Sequence, residues 1–287
     1  MMHKRNLTRM AGWVLLAAAV ALFCMQLGNF YVQVRYHAEY VDDRIFYIVN
    51  VLCIICIVSA IFLLLQVTKR VVWIAAGLVV IFVIVNGFLM MKSNEQIKNM
   101  TSISPDFKHV FAIKEDRASG EAVYFRSYFD ILASPLEKLP YEIDESISIE
   151  WLAKDIAAFT YSSHDGSTHQ FIGTYGSREG DSYNYVASEI RGEWEGEKTR
   201  IVSDADGISV TENGETKHFD EEHTVQFGTL AVVLTEDDEA VWTISLDENF
   251  KSHANDDNPP SGNITLYKAS KEHNVPMTHA YVGGEGD

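Results

Sequence analysis

The chain has 287 residues and a formal net charge of −17 at pH 7. That charge is unevenly placed: residues 1–91 hold seven Lys/Arg against three acids, a balance of +4, so residues 92–287 carry −21. An acidic sheath this dense keeps a domain soluble and repels nucleic acid and anionic headgroups, which argues against a nucleic-acid partner.

The first 91 residues read as a membrane anchor of three helices, at 11–28, 46–66 and 71–91. Val71–Met91 is twenty-one residues without a charge, long enough to cross a bilayer. Ala11–Leu27 follows Lys4, Arg5 and Arg9 and resembles a signal peptide. It lacks a small-x-small site behind it, so an uncleaved anchor that continues toward Val34 is expected. Phe30, Tyr31, Tyr36, Tyr40, Phe46 and Tyr47 then form an aromatic loop suited to an interfacial belt. The basic clusters are the N-terminus and the Lys69-Arg70 turn, which the positive-inside rule places in the cytoplasm. Three spans then put everything after Met91 outside, in a multi-pass cell-membrane protein. No Asp, Glu, Lys, Arg or His lies within the spans, which argues against a transporter or pump.

All three cysteines, Cys24, Cys53 and Cys56, lie in apolar runs, so no disulfide staples the soluble part. The C-x-x-C pair sits mid-helix, where a thiol stays protonated and packs as a small apolar group. The polar exceptions within the spans are Asn50, Ser59 and Asn86, with Gln26 and Gln66 near ends. Asn50 and Asn86 fall at matching depth on neighbouring antiparallel helices. An interhelical hydrogen bond between them is expected, weighed equally against amides that face headgroups or bond to their own helix.

Residues 92–106 are polar and read as a linker, and 107–280 as an all-β antiparallel extracytoplasmic domain of eight to eleven strands. HVFAIK and AVYFRSYF flank a turn, as do IAAFTYSS and THQFIGTYG. ISVTENGETKHF carries Asn213-Gly214 between two strand-like runs, a strong type I′ turn signal. LAVVLTEDDEAVWTISL reads as another hairpin, and ILASPLEKLPYEIDES, with two prolines, as a loop. Turns at this spacing suit a sandwich, a barrel or a small propeller-like array. Residues 281–287 read as a flexible tail, and a fragment beginning near Ser104 is expected to fold without the helices.

Several residues carry metal-ligand chemistry by type. His164 and His169 flank a turn that contains Asp165, and His218 and His223 bracket three acids. Neither pair completes a recognised motif, so polar turns are the expected reading and no cofactor is implied. Asp204-x-Asp206-Gly207 resembles the start of a calcium loop without its later ligands. Tyr175, Tyr183 and Tyr185 are candidates for a binding face, with core packing the competing use. The expectation is a binding or sensing module rather than an enzyme, held in the lipid bilayer and facing a partner protein or an envelope ligand. The rivals are an extracytoplasmic hydrolase using carboxylates or a His-bound metal, and an accessory subunit whose helix packs through Ala75, Ala76 and Gly77.

Overall fold

A computed structural model of the chain describes residues 2–65, 67–144, 146–178, 185–251, 259–270 and 274–284. The expectations for Tyr183, and for the tail beyond residue 284, lie outside the described residues. The chain divides into two compact units, Met1–Thr101 with Ala112–Lys138, and Ser102–Phe111 with Leu139–Asp287.

The first unit opens with α1 (Met2–Tyr36), the two-residue strand β1 (Glu39–Tyr40), α2 (Arg44–Leu64) and α3 (Lys69–Gln96). All three helices are long and apolar enough to cross a membrane, which fits a multi-pass membrane protein. At 35 and 28 residues, α1 and α3 run about 50 and 40 Å, beyond the ~30 Å hydrocarbon core. Their ends therefore project past the apolar layer. α2 packs chiefly against α1, and small residues make the approach close. Ala19 and Ala60 are buried, and a Cβ on Gly12 would fall 2.8 Å from Leu64. The Cys53 thiol faces the Ala19 carbonyl at 3.5 Å, a packing use of that cysteine. On α3, by contrast, Gly77 has nothing within 4 Å.

The stretch expected to be a linker is not one. Helix α3 continues through Gln96, because Lys92–Gln96 holds no glycine or proline to end it, and β2 (Ile97–Ile103) follows directly. With β3 (Val110–Asp116), β4 (Ala122–Tyr128) and β5 (Leu132–Lys138) it forms a five-stranded sheet of order β1-β5-β4-β3-β2. β2 lies at its edge, where a polar strand is tolerated. β5 also departs from expectation, since its proline read as a loop. Pro135 lies beyond the two residues paired with β1 and next to the register shift at Tyr124/Phe125, where a missing N–H costs no ladder bond. A fragment beginning near Ser104 would lose both outer strands of this sheet, β1 and β2. The 106/107 boundary is therefore not where the compact units divide.

The second unit holds β6 (Ile147–Ala153), β7 (Ile156–Ser162) and β8 (Thr168–Thr174) in one three-stranded sheet, then α4 (Val186–Glu189). β9 (Gly192–Glu195), β10 (Thr199–Ser203), β11 (Ile208–Glu212) and β12 (Glu215–Phe219) follow. After a 3₁₀ turn come β13 (Thr224–Phe227), β14 (Ala231–Glu236), β15 (Glu239–Leu246), β16 (Asn263–Lys268) and β17 (Met277–Gly283). These last nine strands make one sheet of order β12-β11-β10-β9-β17-β16-β15-β14-β13, which curls so that β12 meets β14 in a barrel-like form. Sixteen strands thus follow the helices among the described residues, more than expected, because short or polar edge strands such as β2 and β13 carry little alternation.

The clear hairpins form as expected. Asn213 and Gly214 both take positive φ, 54° and 85°, as a type I′ turn requires. Asp237 and Asp238 do the same at 51° and 64°, within the tolerance of aspartate for the left-handed region. The apolar run of β14 has two destinations. Val232 and Leu234 enter the core inside the curled sheet with Trp194, Trp242 and Ile244, whereas Ala231 and Val233 face Ile156, Ala158 and Ile172 of the three-stranded sheet. A polar link crosses that second interface: Thr243 Oγ1 donates to Gln170 Oε1, and Gln170 Nε2 donates to Thr160 Oγ1 at 2.9 Å.

Candidate functional site

Asn50 and Asn86 both find partners, though not each other. Gln26 Nε2 donates to Asn50 Oδ1 at 3.0 Å and to the Phe46 carbonyl at 2.8 Å, while its Oε1 accepts from the Tyr40 hydroxyl at 3.1 Å. Asn86 Nδ2 donates to Phe82 O of its own helix at 3.0 Å, the other outcome weighed above. The expected Asn50–Asn86 bond is therefore replaced by one to α1, because α2 packs mainly on α1 and there meets Gln26 first. Gln26, Asn29 and Gln33 fall at i, i+3 and i+7 on one face of α1, a polar stripe visible in the sequence. Replacing Gln26 by leucine orphans the Asn50 carbonyl and the Tyr40 hydroxyl, and is expected to cost about 1–2 kcal/mol. A double-mutant cycle with Asn50→Leu, read by thermal melting in detergent, should show strong coupling; additive losses would contradict the network.

Beside this network lies a charged cage. Lys114 of β3 is only 6% exposed. Its Nζ donates to Glu39 Oε1 at 2.7 Å, to Asp43 Oδ1 at 2.7 Å and to the Tyr40 carbonyl at 2.8 Å, and it stands 5.0 Å from the Phe125 ring. Asp42, next in line, is taken by the Arg44 guanidinium. Against the cage opens a cavity of about 220 Å³, reached by residues of α1, β1, α2 and α3. The signal for Lys114 was a single cation inside the apolar run HVFAIK; its partners, more than seventy residues away, left none.

The histidine pairs do not converge. His164 lies 3.5 Å from Glu142 on the surface, whereas His169 is buried, its ring stacked 3.8 Å from that of Tyr141. His169 Nε2 lies 3.1 Å from Ser163 Oγ and 2.8 Å from Ser167 Oγ. Both hydroxyls also meet Asp165 Oδ1, at 2.6 and 2.5 Å, and a carboxylate only accepts. The same two hydroxyls, joined by the Ser167 amide, hold the Asp165 carboxyl below the usual range. His218 Nδ1 meets Ser209 Oγ at 3.0 Å, and His223 Nδ1 meets Asp220 Oδ1 at 2.7 Å, where that bond raises the imidazole above its ordinary pKa. Asp204 Oδ1 accepts from the Asp206 and Gly207 amides at 2.8 and 3.2 Å, which closes an Asx turn.

A further histidine, His279, escaped the sequence reading because one isolated imidazole in a β-strand carries no pattern. It is fully buried, with Nδ1 donating to the Met277 carbonyl at 2.9 Å and Nε2 accepting from the Thr199 hydroxyl at 2.6 Å. Burial lowers the pKa of both His279 and His169 below the ordinary 6.5. The unfolded chain therefore binds more protons than the folded one below that pH, and stability falls as the pH drops from about 6.5 toward the lowered values. The β-transition is expected to melt at lower temperature at pH 5 than at pH 7, with a shallower slope in His279→Gln. An unchanged slope in that variant would assign the effect elsewhere.

Two clefts open on the second unit. One, of about 340 Å³, is bounded by α4, the Asp204–Gly207 turn and the 3₁₀ turn, with Tyr185, Arg191, Asp206 and Glu221 among its walls. Tyr185 is 63% exposed and Arg191 is exposed as well. Tyr175, by contrast, is used for packing: it stacks on His109 at 4.7 Å and on Trp151 at 5.9 Å. The other cleft, of about 380 Å³, holds Asp247 and Glu248. Burial raises the Asp247 carboxyl, which accepts from Thr265 Oγ1 at 2.5 Å, while Glu248 is held by Lys154 at 2.7 Å. Comparison with family models, with curated proteins and with solved structures returned no match.

Proposed function

We propose that the protein is a membrane-anchored binding or sensing module whose β-region faces the outside and takes a partner protein or envelope ligand. The observation that carries this reading is the cleft beside α4. It falls in the size range of ligand sites and places an exposed tyrosine and an exposed arginine together, the residue types that anchor interfaces. The orientation rests on Lys4, Arg5, Arg9, Lys69 and Arg70, which an odd number of spans sets opposite residues 92–287. Strand β1, in the connection between α1 and α2, belongs to a sheet outside the apolar layer. A change in that sheet is thereby tied to the helices, as a sensor needs.

A photo-crosslinking residue at Tyr185 in the full chain, in intact wall-stripped cells, is expected to give a discrete adduct that Arg191→Glu removes. No adduct, or the same pattern from exposed position Val275, rejects the reading. In the same cells, added protease should digest the C-terminal region; protection until the membrane is opened reverses the orientation. The hydrolase alternative is favoured only by Asp247, whose raised pKa suits a general acid. Asp247→Asn would have to abolish a measured hydrolysis for that reading to stand.

A further inference from the structure

We infer that the cavity beside the Lys114 cage is a binding site for an ammonium group carried by a membrane-lipid headgroup. It sits in the first unit, apart from the cleft of the proposed function, and does not rest on that function. Three observations set the chemistry of its occupant.

The first is donor supply. An ammonium has three N–H bonds, and those of Lys114 go to Glu39, Asp43 and the Tyr40 carbonyl. One cation thus faces two carboxylates, each with a second oxygen to offer, and Arg44 is engaged by Asp42. The cage carries a surplus negative charge and no uncommitted cation of its own. The second observation is Asn29, which lines the same cavity and is 7% exposed, with its Oδ1 buried and without a hydrogen-bond partner. A buried amide oxygen without a donor costs roughly 1–3 kcal/mol, which a bound donor would remove. The third is the aromatic wall. Phe30 and Phe46 meet edge to face at 5.8 Å, and Phe46 and Tyr47 at 5.4 Å; all three line the cavity. Aromatic rings beside carboxylates are the surroundings in which alkylammonium groups are held.

Position and size point to the lipid as the source. The apolar stretches of α1 and α3 end here and that of α2 begins, so the cavity lies at the level of the headgroups. Its volume of about 220 Å³ is below that of ordinary small-molecule pockets and suits a headgroup whose acyl chains stay in the bilayer. Exposed Phe30 and Tyr31 on the adjoining face of α1 offer those chains an apolar surface.

The test uses the full chain reconstituted in nanodiscs of mixed phosphatidylethanolamine and phosphatidylglycerol. The protein is then extracted in mild detergent, and retained lipid is read by native mass spectrometry. Phosphatidylethanolamine is expected to be retained in preference. Asn29→Leu, which removes the acceptor, should lower that preference by about tenfold, the weight of one charge-assisted contact. Asp43→Asn keeps an acceptor for Lys114 but removes the surplus charge, and should do the same even if the first variant folds poorly. Free ethanolamine at millimolar concentration should not displace the lipid. Equal retention of both lipids, a preference untouched by both variants, or displacement by free ethanolamine would each overturn the assignment, the last by making the ligand a soluble amine.

Discussion

Replacing Lys114 by methionine is expected to destabilise the helix-bearing unit by about 3–5 kcal/mol, the cost of breaking a buried ion pair from one side. The methionine fills the volume of the lysine stem but donates nothing. Glu39 and Asp43 then face each other without a cation, and the Tyr40 carbonyl loses its donor. Both carboxylates are partly solvated, with side chains 31% and 25% exposed, which places the loss toward the lower end of that range. Thermal unfolding of the full chain in detergent should shift down by roughly 10 °C. Adding Glu39→Gln and Asp43→Asn to the methionine variant should recover part of the loss, since much of it is unpaired charge rather than missing contact. A single variant that melts with the parent would show that the cage does not hold strand to helix.

Trp194→Ala should be about as damaging in the second unit, costing roughly 3–5 kcal/mol. Trp194 is fully buried inside the curled sheet, with its ring 6.0 Å from Phe250 and edge-on to Tyr281 at 5.3 Å. Its Nε1 donates to the Ile190 carbonyl at 2.7 Å, which ties the chain just after α4 to β9. Alanine removes the indole and leaves that carbonyl without a donor. Phenylalanine keeps most of the apolar area and should cost about 1–2 kcal/mol for the lost bond. Circular dichroism melts and amide exchange of β9, β10 and β17 would rank the three proteins. Equal stability of the alanine and phenylalanine variants would place the energy in the hydrogen bond rather than in packing.

Local patterns were legible where one signal dominates. A charge-free run of twenty-one residues has no low-energy place but a bilayer or a deep core, and Val71–Met91 is helical throughout. Asn213-Gly214 admits few turns besides the one observed, because both residues must take positive φ. Edge elements were less legible. β2 and β5 read as linker and loop because polar residues and a proline carry no alternation: β2 lies at the sheet edge, and β5 pairs with β1 only at Leu132 and Ala133.

The sequence by itself determined that three apolar helices precede an acidic, antiparallel β-region, because burial of backbone in lipid and alternation on a sheet are local demands of composition and period. Only the tertiary structure decided where the polar groups go. Asn50 was free, by depth alone, to meet Asn86, and it meets Gln26 because α2 lies against α1. Lys114 reads as one more surface cation until β3 and β1 come together in a single sheet and set Glu39 and Asp43 around it. His164 and His169, five residues apart, part company because one lies at the surface and the other under Tyr141. In each case partner choice is a long-range event, set by which surfaces pack, and spacing along the chain does not encode it.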